Sequence, residues 1–173
     1  GVAVVGAKLL YPEELVQHAG VLLNVTGVAG HAHAYYLRDD PGYFGRAVLA
    51  QDFMAVTGAC MMVRRDIYEA LGGLDEENLA VAFNDVDFCL RVREAGHRVV
   101  WTPDALLYHH ESVSRGAEDT PEKKTRFARE KAYMRHRWGR RVARDPFYNP
   151  NLSHERPDFS LSNAPMAPRP WLE

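Results

Sequence analysis

The chain holds 173 residues, 46% of them hydrophobic and 25% charged, the proportions of an ordinary folded domain, which excludes wholesale disorder. A net charge of −2 argues against nucleic acid as a partner of the whole surface. Two cysteines, Cys60 and Cys89, are too few for a disulfide framework and read as buried free thiols.

Residues 2–10 form a short apolar run that reads as a strand, ended by Tyr11-Pro12. With no crossover ahead of it, this strand is expected at an open sheet edge, where it invites pairing into a homodimer. Residues 16–24 read as a second strand and residues 27–46 as a long loop. A β-type run follows over 53–64, then a short helix over 65–71 closed by Gly72-Gly73. The spacing of Val86, Cys89, Leu90 and Val92 predicts a stronger helix over 84–95, with Gly96 past its end. Residues 98–108 read as a strand running into His109 and His110. Thr120 and Pro121 are capping and first-turn residues for a long helix over 121–142, with Phe127, Met134 and Trp138 on one side. Between Glu122 and Arg144 stand ten basic residues and two acidic ones. The plain reading is a solvated face. The sharper one is contact with phosphate-rich partners or an anionic membrane surface. The helix lacks the interleaved aromatics that stack single-stranded bases, so nucleic acid is not expected. From Asp145 onward, six prolines predict an extended wrap.

The mixture of strands and helices predicts the α/β class. No apolar run approaches the roughly 20 residues that span a bilayer, and the opening residues show no basic leader, so a cytoplasmic location is expected.

Four constellations could carry chemistry. Asn84, Asp85 and Asp87 sit at a helix start, where free N–H groups favour carboxylates. They are either caps or a presented general base, and Asp75, Glu76 and Glu77 stand just ahead. His109 and His110 end a strand, so only one can face a given site, and an imidazole there suits a divalent metal. His31 and His33 form a His-x-His pair that an extended loop could aim at one metal ion. Thr57-Gly58-Ala59 places a glycine in a β run, a mark of close ligand or backbone approach.

Taken together, Thr57 to Arg65, Gly72 to Glu76, Asn84 to Arg91 and Ala95 to Arg98 resemble the family 2 glycosyltransferases, which have the GT-A fold. The segment from His109 through Glu111, Ser112 and Arg115 is similar to the stretch after that family's last core strand. The residues around Gln17-His18 and His31-Ala32-His33 look like its bacterial rhamnosyltransferase-like subgroup, which builds surface polysaccharides. The resemblance covers roughly residues 5–160.

The resemblance implies transfer of a sugar from a nucleotide-diphosphate donor to an acceptor hydroxyl, with inversion. Asp85 matches the general base, and Asn84 stands where the family usually has Glu. His109 matches a histidine that completes metal or diphosphate binding, which implies Mn or Mg as cofactor. Thr57, Gly58, Ala59, Asn84, Asp87 and Arg115 would lie near donor and acceptor, the latter a saccharide or lipid-linked hydroxyl. Asp85-Val86-Asp87 has the letters of the family's acidic metal motif, but it sits on a helix start after Gly72-Gly73 and is not read as that motif. The family's first nucleotide-binding strands and that motif are missing. Residues 1–144 therefore read as the carboxy-terminal, acceptor-side portion of a GT-A domain, with 145–173 as a Pro-rich tail. Such a chain is expected to be inactive alone. Two rivals stand beside this reading. One is a non-catalytic binding module derived from the fold. The other is a metal hydrolase built on His31, His33, His109 and Asp85.

Overall fold

The computed structural model describes residues 1–110 and 120–164. Seven strands and three α-helices follow in the order β1 (Val2–Leu10), β2 (Val16–His18), β3 (Val21–Leu23), β4 (Ala29–His31), β5 (Gln51–Asp52), β6 (Met61–Val63), α1 (Arg65–Ala70), α2 (Asn84–Glu94), β7 (Arg98–Tyr108) and α3 (Pro121–Val142). The class is mixed α/β, as expected.

The main sheet is built on β1. Along one side it pairs in parallel with β7, from Val2↔Arg98 to Leu10↔Tyr108. Along the other it pairs antiparallel with β6 near Val5 and with β2 near Leu9. An edge position for the first strand is therefore wrong. Its near-continuous burial is that of an interior strand, and Ala3, Val4, Ala7, Leu9 and Leu10 are all at most 5% exposed. The open-edge argument for a homodimer falls with it.

Residues 16–24 are two strands rather than one. Gly20 takes φ +99° between them, and a Cβ there would lie 2.4 Å from the Phe53 ring. The chain turns at that glycine, and β3 leaves the main sheet to pair with β4. Beyond β5, residues 53–57 cross the core without a ladder, tied to β3 by a single bridge between Ala55 and Val21. Cys89 is buried in the core, whereas Cys60 is half-exposed, and both are free.

Helix α2 buries Val86, Phe88, Cys89, Leu90 and Val92. Helix α3 buries Met134, Trp138 and Val142, one stripe at four-residue spacing. Its Thr120 cap accepts from the Lys123 N–H at 3.3 Å. Phe127 lies further out, 42% exposed, its ring 5.5 Å from Phe83. The residues after α3 return to the core. Tyr148, Leu152 and Phe159 are each at most 6% exposed, and Asp145 accepts from the Leu23 N–H at 2.9 Å.

Candidate functional site

Ligands of open α/β sheets gather outside the carboxyl ends of parallel strands. Here those ends are Leu10 of β1 and Tyr108 of β7. Tyr11 and His109, the next residue of each strand, line a cleft of about 380 Å³ together with Gln17, His31, Tyr35, Thr57 and Ala59. That volume is at the small end of ligand sites. The ladder continues past β7 through the His109 N–H, which donates to Leu10 O at 2.9 Å. The His109 ring is fixed from β2, where Gln17 Oε1 lies 2.8 Å from its Nδ1. An amide oxygen can only accept, so His109 carries a proton on Nδ1. None of the described residues lining this cleft is Lys, Arg, Asp or Glu.

Asp85 is not among the residues lining the cleft, but it is tied to the backbone between two that are. The Gly58 N–H, between the lining residues Thr57 and Ala59, donates to Asp85 Oδ2 at 2.7 Å. The Val86 N–H donates to Oδ1 at 2.8 Å. A Cβ at Gly58 would lie 3.2 Å from that of Asp85, so glycine lets the two segments meet. Asp85 is half-buried, and two donors leave its carboxylate further acceptor capacity. The helix cap position belongs to Phe83, in the left-handed region at φ 64°, and not to Asn84 or Asp85.

Buried His18 stands behind the cleft, against the exposed lining residue His31. The Thr57 N–H donates to His18 Nε2 at 3.4 Å, and His18 Nδ1 lies 3.0 Å from His31 Nδ1. The amide fixes His18 Nε2 as acceptor, so His18 is protonated on Nδ1 and donates to His31. His31 then carries its own proton on Nε2. Burial, and secondarily His31, hold the His18 pKa well below the ordinary imidazole value.

Other candidates lie elsewhere. Asp87 is fully buried under α3. It accepts from Trp138 Nε1 at 2.8 Å and Arg91 Nε at 2.8 Å, with Arg137 Nε 3.4 Å away. It does not reach the cleft lining. Asp75 ties its loop to α3 through the Tyr133 hydroxyl at 2.9 Å. His31 and His33 do not face one ion. His33 accepts from the Tyr43 N–H at 3.2 Å and stacks on Phe159 at 4.4 Å, away from the cleft. Burial, then Arg46, push its pKa down to about 4. Asn84 is half-buried beside Asp85, and His110 is exposed. Arg115 lies outside the described residues. No three His, Cys, Asp or Glu side chains converge among the described residues, so the described residues alone do not make the Mn or Mg site implied for His109.

Sequence reasoning missed Gln17, Tyr11 and Tyr35 as cleft residues. Gln17 carried one signal, its place beside His18. The tyrosines carried none, since only the fold brings residue 11 beside residue 35.

The model of the family described as Glycosyltransferase like family 2 matches residues 12–140. The chain is 56% identical over 163 residues to an uncharacterized protein, y4gI, of Sinorhizobium fredii, covering 94% of this chain and 18% of that protein. It is 40% identical over 166 residues to the O-antigen biosynthesis protein RfbC of Myxococcus xanthus, covering 95% of this chain and 12% of that protein. Over 63 residues, 36% of this chain and 20% of the relative, it is 35% identical to an N-acetylglucosaminyl-diphospho-decaprenol L-rhamnosyltransferase of Mycobacterium tuberculosis. The chain thus spans less than a fifth of the length of its first two relatives.

Proposed function

The chain belongs to the family 2 glycosyltransferases, and from that membership we propose that it forms the acceptor side of a sugar-transfer site used in surface polysaccharide synthesis. The donor is a nucleotide-diphosphate sugar, and the acceptor is a hydroxyl of a saccharide or lipid-linked saccharide. The observation that carries this reading is a carboxylate held against the wall of a cleft whose described lining carries no Lys, Arg, Asp or Glu. Asp85 is that carboxylate, held by the Gly58 N–H. That described lining suits an uncharged acceptor better than a diphosphate.

Asp85 acts as general base. As the acceptor oxygen attacks the anomeric carbon, its proton passes to the Asp85 carboxylate. The bond from that carbon to the diphosphate oxygen breaks from the opposite face, and its electron pair leaves with the nucleoside diphosphate. Attack opposite the leaving group inverts the anomeric configuration. The two amide donors to Asp85 fix the carboxylate before the acceptor arrives, which is the geometric part of the catalysis. His109 and Gln17 position the acceptor. Basic α3 rests against an anionic membrane face.

The test is transfer by the natural protein from uridine- and thymidine-diphosphate sugars, read as nucleoside diphosphate released and as anomeric configuration by NMR. Asp85→Asn should lower turnover roughly 10²–10⁴-fold, with an inverted product from the wild type. Undiminished turnover in the variant, or retained configuration, overturns the assignment. Acceptor binding without any turnover in the wild type would make the domain a binding module.

A further inference from the structure

Tyr35 lines the cleft yet is 68% exposed. It sits at φ 67°, in the left-handed region that non-glycine residues rarely adopt, and His33 two positions earlier sits at φ 57°. Backbone strain of this kind persists where the surroundings over-determine it, and it gathers at ligand clamps. The turn is held by β2. The Tyr35 N–H donates to Val16 O at 2.7 Å, and the Val16 N–H donates to Tyr36 O at 2.8 Å. The result is a ring held outward at the cleft rim. It stacks on Tyr11 with centroids 5.3 Å apart and planes 13° from parallel.

We infer that the Tyr11–Tyr35 stack is a saccharide platform, on which one pyranose ring of a neutral acceptor lays its C–H face. A pyranose is amphipathic, with apolar faces and a rim of hydroxyls. The cleft has the same division. The aromatic pair supplies an apolar surface, and Gln17, His31, Thr57 and His109 supply hydrogen-bonding groups. Buried His18 places the His31 proton on Nε2. A prenyl chain would bring no hydrogen-bonding group to that polar side of the cleft. A nucleobase would stack equally well, but its diphosphate would meet no Lys or Arg among the described residues lining the cleft. The word acceptor rests on the transferase reading. The platform itself does not.

The test is saturation-transfer NMR on the chain with methyl glycosides of glucose, galactose, rhamnose and N-acetylglucosamine. Uridine and thymidine diphosphates serve as rival probes. Saturating tyrosine ring protons should transfer to ring C–H protons on one face of at least one glycoside. Tyr35→Ala should reduce that transfer at least tenfold, and Tyr35→Trp should keep it. Tyr35→Gly should also lose it while leaving the melting temperature equal or higher, since glycine relieves the φ strain. Transfer to none of the glycosides, transfer that survives Tyr35→Ala, or preference for the nucleotides overturns the platform. Binding is read without turnover, so the two readings fail separately. A protein that binds glycoside through Tyr35 but transfers no sugar refutes only the transferase reading.

Discussion

Asp85 and Asp87 stand two positions apart on the first turn of α2, and burial separates what they do. Asp85 is half-buried, accepts two amide hydrogens and faces Gly58. Asp87 points the other way and sits dry between Arg91 and Trp138. Removing one member of a buried ion pair strands its partner's charge and typically costs about 3–5 kcal/mol. A carboxylate in a helix first turn typically contributes about 0.3–1 kcal/mol. Denaturant unfolding of Asp87→Ala should therefore show the larger loss, and Asp85→Ala should unfold within about 1 kcal/mol of the wild type. Equal losses would mean that Asp85 is as structural as Asp87. The sequence named both residues but could not divide them. The face of α2 that meets α3 is decided by Trp138, 51 positions away from its partner in the chain. His33 is the same kind of case. Its His-x-His spacing suggested a shared ligand, while the left-handed backbone at His33 turns the ring into an aromatic nest instead.

Among the elements, those with strong local signals were legible. β1, β7 and α3 keep the bounds read from apolar runs, the Thr120 cap and Pro121. What a run cannot show is its neighbours, and β1 moved from edge to centre because pairing is non-local. The break at Gly20 needed Phe53 to be seen. Helix α3 retains a basic outer face, with Lys124, Arg129, Arg135, Arg140 and Arg141 exposed along it. Each basic residue near an anionic leaflet contributes about 1 kcal/mol, and the attraction is screened by salt. The chain should therefore sediment with vesicles containing phosphatidylserine and not with phosphatidylcholine alone. Arg135→Glu combined with Arg140→Glu should remove most of that binding, as should about 0.5 M salt. Equal binding to neutral vesicles would refute a membrane role for α3. Among the described residues no helix is long and apolar enough to cross a membrane.

At the scale of the whole molecule, the segment after α3 closes the structure over the His33 region. Phe159 stacks on both His33 and Tyr43, and the Tyr36 hydroxyl donates to Asp158 O at 3.2 Å. Six prolines spoke for an extended wrap, but only the packing of Tyr148, Leu152 and Phe159 shows that the wrap is part of the core. This closure makes stability depend on pH with a definite sign. His33 is buried neutral, with its pKa pushed down to about 4, while in the unfolded chain it returns to about 6.5. Between those values the unfolded state binds more protons, so stability is complete above about pH 6.5 and is lost as pH falls toward 4. The loss from His33 alone should be roughly 2 kcal/mol at pH 5. His18, lowered by burial and then by His31, acts with the same sign. Asp145 acts against them, because burial raises its pKa and protonation relieves that cost as the pH falls. The paired carboxylates Glu14 and Asp52, held low first by hydrogen bonds from Tyr108 and Arg98 respectively, lose their contributions only in more acidic solution. Urea titrations at pH 7.5 and pH 5 should give a clearly lower midpoint at pH 5, with an unchanged slope. His33→Phe removes the titrating group but keeps an aromatic ring against Phe159. It should lower stability at pH 7.5, where the Tyr43 N–H loses its acceptor, and flatten the dependence between the two pH values. A wild type equally stable at both pH values would show that His33 becomes charged without disturbing the fold, and that the closing segment opens readily enough to admit water.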